Sequence, residues 1–255
     1  ATLATGNDQP RQREIPPWDK DEDRKTFYPL SKLEMRNLGR RIICVVGPSG
    51  IGKDGALDKC LLRQDVDTKS KYRYVRLPLS TTRLPRSDEE RFGASSLKDD
   101  LQWTRHIFFD TETFKDMIDL KMLIAWRLRE TQEYYGLSYH ATATVLEDPR
   151  NIALISCGLR MSWLIKRSFG QSVTVACADA DDEKIRHWYN ESERPKDEEA
   201  VRLNLEIYRS WMPKIADYIM MIQERGDLAE CLQQVLQTQT KIRLRRDGSW
   251  HRGWV

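Results

Sequence analysis

Four short runs of the chain are apolar at consecutive positions: RIICVV from Arg41, NIALIS from Asn151, QSVTVACA from Gln171 and YIMMIQ from Tyr218. A fifth, KYRYVRLPL from Lys71, alternates at the period of a strand. Short β-branched and apolar runs of this kind read as strands. The four apolar runs are each followed by a stretch with helical spacing, including a helix over 52–63 after the first. Strands apolar on both faces and separated by helices predict a parallel sheet covered on both sides. Between 80 and 140 the rhythm changes to short strands and turns, which predicts an inserted subdomain. Residues 1–37 hold four of the ten prolines and the charged run DKDEDRK, so they bury too little apolar surface to offset the entropy of ordering. They are expected to form a partly disordered extension to a single domain over 38–240.

Composition narrows the classes without choosing one. Hydrophobic residues make up 40% and charged residues 32% of 255, and no apolar run approaches the roughly 20 residues of a membrane span. No membrane partner is expected. The net charge of +3 is concentrated in the last segment, TKIRLRRDGSWHRGWV, so 241–255 reads as a basic tail and no nucleic-acid partner is expected for the body. The five cysteines are scattered and mostly embedded in apolar segments. They predict buried free thiols in a reducing, cytoplasmic compartment.

The candidate chemistry begins directly after RIICVV, with GPSGIGKDGAL over 47–57. A strand, a Gly-x-x-x-x-Gly-Lys loop and a helix make a phosphate cradle from backbone N–H groups at a helix N-terminus. Gly47, Ser49, Gly50, Ile51 and Gly52 form the loop, and Lys53 is placed to follow charge on the β- and γ-phosphates. The residue after the lysine normally brings a hydroxyl to Mg²⁺, and here it is Asp54. A carboxylate adds negative charge beside the phosphates and also binds the ion, so a modified and a degraded site are both open at this point.

GPSG-x-GKD, STTR at 80–83 and the Tyr135-Gly136 pair together resemble the guanylate kinase superfamily of P-loop kinases. The Asp after the lysine is similar to the ribose 1,5-bisphosphate phosphokinase family of phosphonate breakdown. His106 with Phe114 resembles that family's HxxxSExxF, LIAW ending at Trp126 its ALSW, and CGLR ending at Arg160 its NGSR. Arg186, Arg194 and Arg202 resemble its lid pattern, with the lid over 189–197. The resemblance runs over 41–239. It departs at Cys157 for Asn, at Gly55, before His106, and in an insertion within SDEERFGASSLKDDLQW.

The resemblance implies a three-layer α/β P-loop kinase core with a parallel sheet, an inserted acceptor-binding subdomain over 80–140 and a short lid. It further implies transfer of the γ-phosphoryl of ATP, with Mg²⁺, to a phosphate of a small phosphorylated acceptor. Lys53, Arg186, Arg194 and Arg202 would act on the transferring group. The loop residues with Lys53 and Asp54 would hold the nucleotide, and Asp54 the metal. Arg83, Arg86, His106, Trp126, Tyr135 and Arg160 would bind the acceptor, expected to be ribose 1,5-bisphosphate yielding 5-phosphoribosyl diphosphate. Guanylate kinases carry acid-containing patterns where this chain has LIAW and CGLR; Asp88, Glu89 or Glu90 would then have to supply a carboxylate to read GMP. The alternatives are a guanylate kinase acting on GMP and a catalytically inactive guanylate kinase-like binding module, the latter opposed by the intact GPSGIGK.

Overall fold

The computed structural model describes residues 2–5, 41–66, 72–86, 104–129, 131–191, 198–224 and 226–246. In chain order the first elements are β1 (Thr2–Thr5), β2 (Ile42–Val46), α1 (Lys53–Val66), β3 (Arg73–Arg76), β4 (Leu79–Thr81), β5 (His106–Phe108), α2 (Thr111–Asp119), β6 (Leu123–Leu128) and β7 (Tyr134–Ser138). The chain continues through α3 (Tyr139–Glu147), β8 (Asn151–Cys157), α4 (Leu159–Phe169), β9 (Val173–Asp179), α5 (Asp182–Asn190), α6 (Glu198–Ile215), β10 (Tyr218–Met221) and α7 (Asp227–Arg246).

The doubly apolar runs become the centre of a six-stranded sheet in the order β1-β10-β9-β2-β8-β3. All pairings are parallel except that of β1, which runs antiparallel along β10. Every residue of β2 is buried because helices cover both faces. Ile42, Cys44 and Val46 pack with Leu164, Ile165 and Phe169 of α4 and with Tyr208, Met212 and Ile215 of α6. Ile43 and Val45 pack with Leu57, Cys60 and Leu61 of α1 and with Leu228, Leu232 and Leu236 of α7. The result is a three-layer α/β fold with two cores, one on each side of the sheet.

β8 and β9 flank β2 on opposite sides, so the connection between them crosses over β2. A crevice at the carboxyl ends of the strands follows from this reversal, and ligands of open α/β sheets bind there. A second sheet, β5-β4-β7-β6, stands over that end and lies between Leu79 and Ser138. Its outer face carries a small core of Phe114, Met117 and Leu123 with Trp126 and Tyr134 against them. Gly136 is required there, since an added Cβ would come within 3.0 Å of both Leu123 Cδ1 and Phe114 Cζ.

Thr2–Thr5, inside the span read as a partly disordered extension, is a strand completing a sheet edge. α7 runs to Arg246, into the span read as a basic tail. All five cysteines are free and buried. Among the described residues no helix is long and apolar enough to cross a membrane.

Candidate active site

β2 delivers the chain to the crevice at Val46, and residues 47–52 turn it into α1. The turn needs positive φ at two positions, and glycine occupies both: Gly50 at +89° and Gly52 at +90°. Ile51 between them is fully buried and anchors the loop in the core under α1. Gly47 is held close as well, with Ile51 Cγ2 3.1 Å and the Ala178 carbonyl oxygen 3.2 Å from where a Cβ would lie. A loop fixed this way at a helix N-terminus is a preformed anion cradle. Lys53 folds back across it, its Nζ donating to the carbonyls of Gly47 at 2.8 Å and Pro48 at 2.9 Å.

Asp54, in the first turn of α1, is not a loose carboxylate. The Arg76 guanidinium, rising from the end of β3, meets its Oδ1 at 3.2 Å and its backbone carbonyl at 3.1 Å. The same guanidinium bonds Asp58 Oδ1 at 2.5 Å, and Arg105 takes the other Asp58 oxygen at 2.8 Å. Burial alone would raise the Asp54 pKa; Arg76, His106 and Lys53, with a hydrogen bond from Ser156, more than reverse this and hold it at about 2. Asp54 is therefore an anion at neutral pH.

Opposite the loop, the second sheet supplies cations. The cleft between them has a volume of about 740 Å³, and Gly47, Ser49, Lys53, Asp54, Arg83, Arg86, His106, Tyr135 and Arg160 of the expected site residues all line it. Arg83 is buried, donates to the Leu84 carbonyl at 2.8 Å, sits over the Phe108 ring at 5.3 Å and comes within 3.4 Å of His106 Nδ1. His106 meets the edge of Tyr135 with ring centroids 6.2 Å apart. Arg160 opens α4 beside Cys157, which stands in the cleft wall at the end of β8.

Three charged cleft residues were not singled out from the sequence: Arg127, Arg129 and Glu133. Arg129 lies over the Tyr135 ring at 5.5 Å and pairs with Glu133 at 3.7 Å across the β6–β7 hairpin. Arg127 and Arg129 stand at the two-residue spacing of a strand, which marks them as sharing one face without saying that this face is the cleft. Arg76 also left a trace, as the cation that ends β3 on its buried side, where Arg73 at the other end is exposed.

Other expected site residues stand elsewhere. Trp126 is in the outer core, 5.9 Å from the Tyr134 ring centroid, which in turn stacks on Phe114 at 5.3 Å. A register irregularity between Leu123 and Ala125 turns Trp126 to that face and hands the cleft to its neighbour. Arg186 is exposed on α5, whose cleft-lining residues are Ile185 and Tyr189. Arg202 is exposed on α6 and engaged by Glu199 at 2.6 Å and by Glu206. Neither lines the cleft. Arg194, most of the expected lid, and Asp88, Glu89 and Glu90 lie outside the described residues.

A parallel sheet whose first central strand feeds a Gly-rich loop and a Lys-led helix, facing a cationic second sheet across a cleft, is the architecture of a P-loop kinase, an enzyme of phosphoryl transfer. The chain is 32% identical over 181 residues to the guanylate kinase of Prochlorococcus marinus subsp. pastoris, covering 69% of this chain and 86% of that one. It belongs to the guanylate kinase family. The crystal structure of guanylate kinase from Anaplasma phagocytophilum shares its fold, with a TM-score of 0.53 at 12% identity over 78% of this chain and 86% of the other. No model of a known protein family matches the chain.

Proposed function

We propose that the protein transfers the γ-phosphoryl of ATP, with Mg²⁺, to a phosphate of ribose 1,5-bisphosphate, giving 5-phosphoribosyl diphosphate. The observation that carries the acceptor is the charge of the cleft. Arg83, Arg86, Arg127, Arg129 and Arg160 line it, whereas Asp54 and Glu133 are its carboxylates among the described residues. Glu133 is engaged by Arg129 at 3.7 Å and by the Thr131 hydroxyl at 2.9 Å. A guanine base offers N–H donors that need an acceptor, and a pocket leaving them unpaired rejects it strongly. LIAW contains no carboxylate, and CGLR brings the thiol of Cys157. An acceptor with two phosphates suits five planar, bidentate cations better than a base does.

In the reaction, an oxygen of the acceptor phosphate attacks Pγ as the bond from Pγ to the bridging oxygen breaks and ADP leaves. That oxygen is already anionic near neutral pH, so positioning and charge neutralisation matter more than a general base. The loop and Lys53 hold the triphosphate, and the arginines hold the acceptor in line. Among the described residues no group of three or more acidic, His or Cys side chains is gathered to cage a metal. The donor set fits Mg²⁺, which binds through one or two carboxylates plus substrate phosphates, with Asp54 as that carboxylate. The ion would neutralise charge on the β- and γ-oxygens.

A second reading, GMP as acceptor, is favoured by the identity with a guanylate kinase. Steady-state rates for ribose 1,5-bisphosphate and GMP under identical MgATP decide between them. A larger kcat/KM for the bisphosphate is expected. A larger value for GMP overturns the acceptor, and absence of MgATP binding overturns the kinase reading.

A further inference from the structure

A carboxylate directly after the P-loop lysine places an extra negative charge beside a triphosphate, and the fold contains a counterweight for it. Arg76 is the largest fully buried side chain among the described residues, its side chain 2% exposed. A guanidinium withdrawn from water this far is strongly unfavourable unless carboxylates surround it. Asp54 and Asp58, four residues apart on α1 and so on one helix face, supply them. The two requirements on Arg76 differ, however. Asp58 has a second cation in Arg105 at 2.8 Å and does not depend on Arg76 alone. Asp54 takes from Arg76 a contact to its carboxylate and another to its own backbone carbonyl, a grip on both ends of one residue.

We infer that Arg76 is a positioning residue for nucleotide binding: it neutralises and orients Asp54, so that an Asp–Arg pair takes the place of the neutral hydroxyl that other P-loops carry. The inference rests on the kinase reading above. It answers why the loop tolerates aspartate. The pair would leave a carboxylate oxygen of Asp54 to hold the metal while cancelling the net charge that would repel ATP. Glutamine at 76 would remove the cation that contacts that carboxylate directly. With serine at 54 there is no charge to compensate, so the same loss at 76 should hardly matter.

The test is a double-mutant cycle on the full chain, with ATP affinity measured by calorimetry in excess EDTA and again in excess Mg²⁺. Arg76→Gln is expected to weaken metal-free ATP binding at least tenfold in the native background and less than threefold in the Asp54→Ser background. The deficit in the native background should shrink when Mg²⁺ is added, because the cation supplies the missing charge. Equal losses in both backgrounds would make Arg76 a scaffold residue only and overturn the inference, as would no loss in either. Asp54→Asn provides a second measurement that leaves Arg76 paired to Asp58. Metal-free ATP should then bind at least threefold more tightly than to wild type, and unchanged or weaker binding contradicts the proposal. If the wild-type protein binds neither ATP nor MgATP, the kinase reading falls and takes this inference with it. If wild type binds and the cycle is additive, only this inference falls.

Discussion

Gly50 at the apex of the phosphate loop lies beneath the backbone of Trp188: a Cβ added there would stand 2.9 Å from the Trp188 carbonyl oxygen and 3.0 Å from Tyr189 Cα. The loop is thus in direct contact with the end of α5, and Tyr189 of that end lines the cleft. Loop conformation and cleft wall are coupled through backbone, which cannot move aside as a side chain does.

Two identical substitutions should therefore have opposite results. Gly50→Ala meets both the clash and the φ of +89°, so it should cost about 1–3 kcal/mol of stability and weaken ATP binding. Gly55→Ala has nothing within 4 Å and sits in α1, where alanine should add about 0.5–1 kcal/mol. Chemical denaturation of both variants reads the pair, and destabilisation by Gly55→Ala would contradict the open space at that site.

Lys53→Ala should fold normally and lose turnover by roughly 10²–10³-fold, the scale of removing one oriented cation or donor from a developing charge. Its resting bonds to Gly47 and Pro48 join neighbouring loop carbonyls rather than distant elements. Turnover comparable to wild type would remove Lys53 from the reaction.

Arg83→Ala should raise the acceptor KM by about 10–100-fold, the worth of a charged hydrogen bond of ~1.5–3 kcal/mol, with little change in the KM for ATP. Trp126→Phe is the contrasting case. The Trp126 indole faces the outer core and its buried Nε1 has no partner among the described residues. Replacement by phenylalanine should leave the acceptor KM unchanged, and a tenfold rise would return Trp126 to the pocket.

Acid stability should carry the signature of Asp148, far from the cleft. Hydrogen bonds from the Arg150 side chain and backbone hold its pKa at about 2, below an ordinary value of 3.8. A depressed folded-state pKa contributes stability that is present above the unfolded value and lost as pH falls through the folded one. Unfolding midpoints of wild type should thus drop between about pH 4 and pH 2 more steeply than those of Asp148→Asn. Parallel curves over that window would exclude the Arg150 contacts as the cause.

Much of the sheet was legible because a strand buried on both faces leaves an unbroken apolar run. RIICVV, NIALIS, QSVTVACA and YIMMIQ all became strands of the main sheet, within a residue or two of their expected ends. The loop was legible for a different reason: positive φ at Gly50 and Gly52 demands glycine, and the demand appears as letters. The second sheet was harder. Its short strands β4 to β7 pair out of sequence order, and KYRYVRLPL divides between two sheets at Leu77 and Pro78.

The sequence by itself determined a parallel α/β core, the glycine-rich loop and the guanylate kinase superfamily, because local geometry and two-sided burial impose residue types position by position. Tertiary structure alone decided which cations face the cleft. A register irregularity in β6 sends Trp126 outward and brings Arg127 inward, a choice made by pairing with β7 rather than by spacing. It also decided the state of Asp54, since Arg76 reaches it from 22 positions away along the chain. Neither residue type announces that meeting; only packing α1 against β3 brings a guanidinium out of water close enough to the half-buried carboxylate to need it.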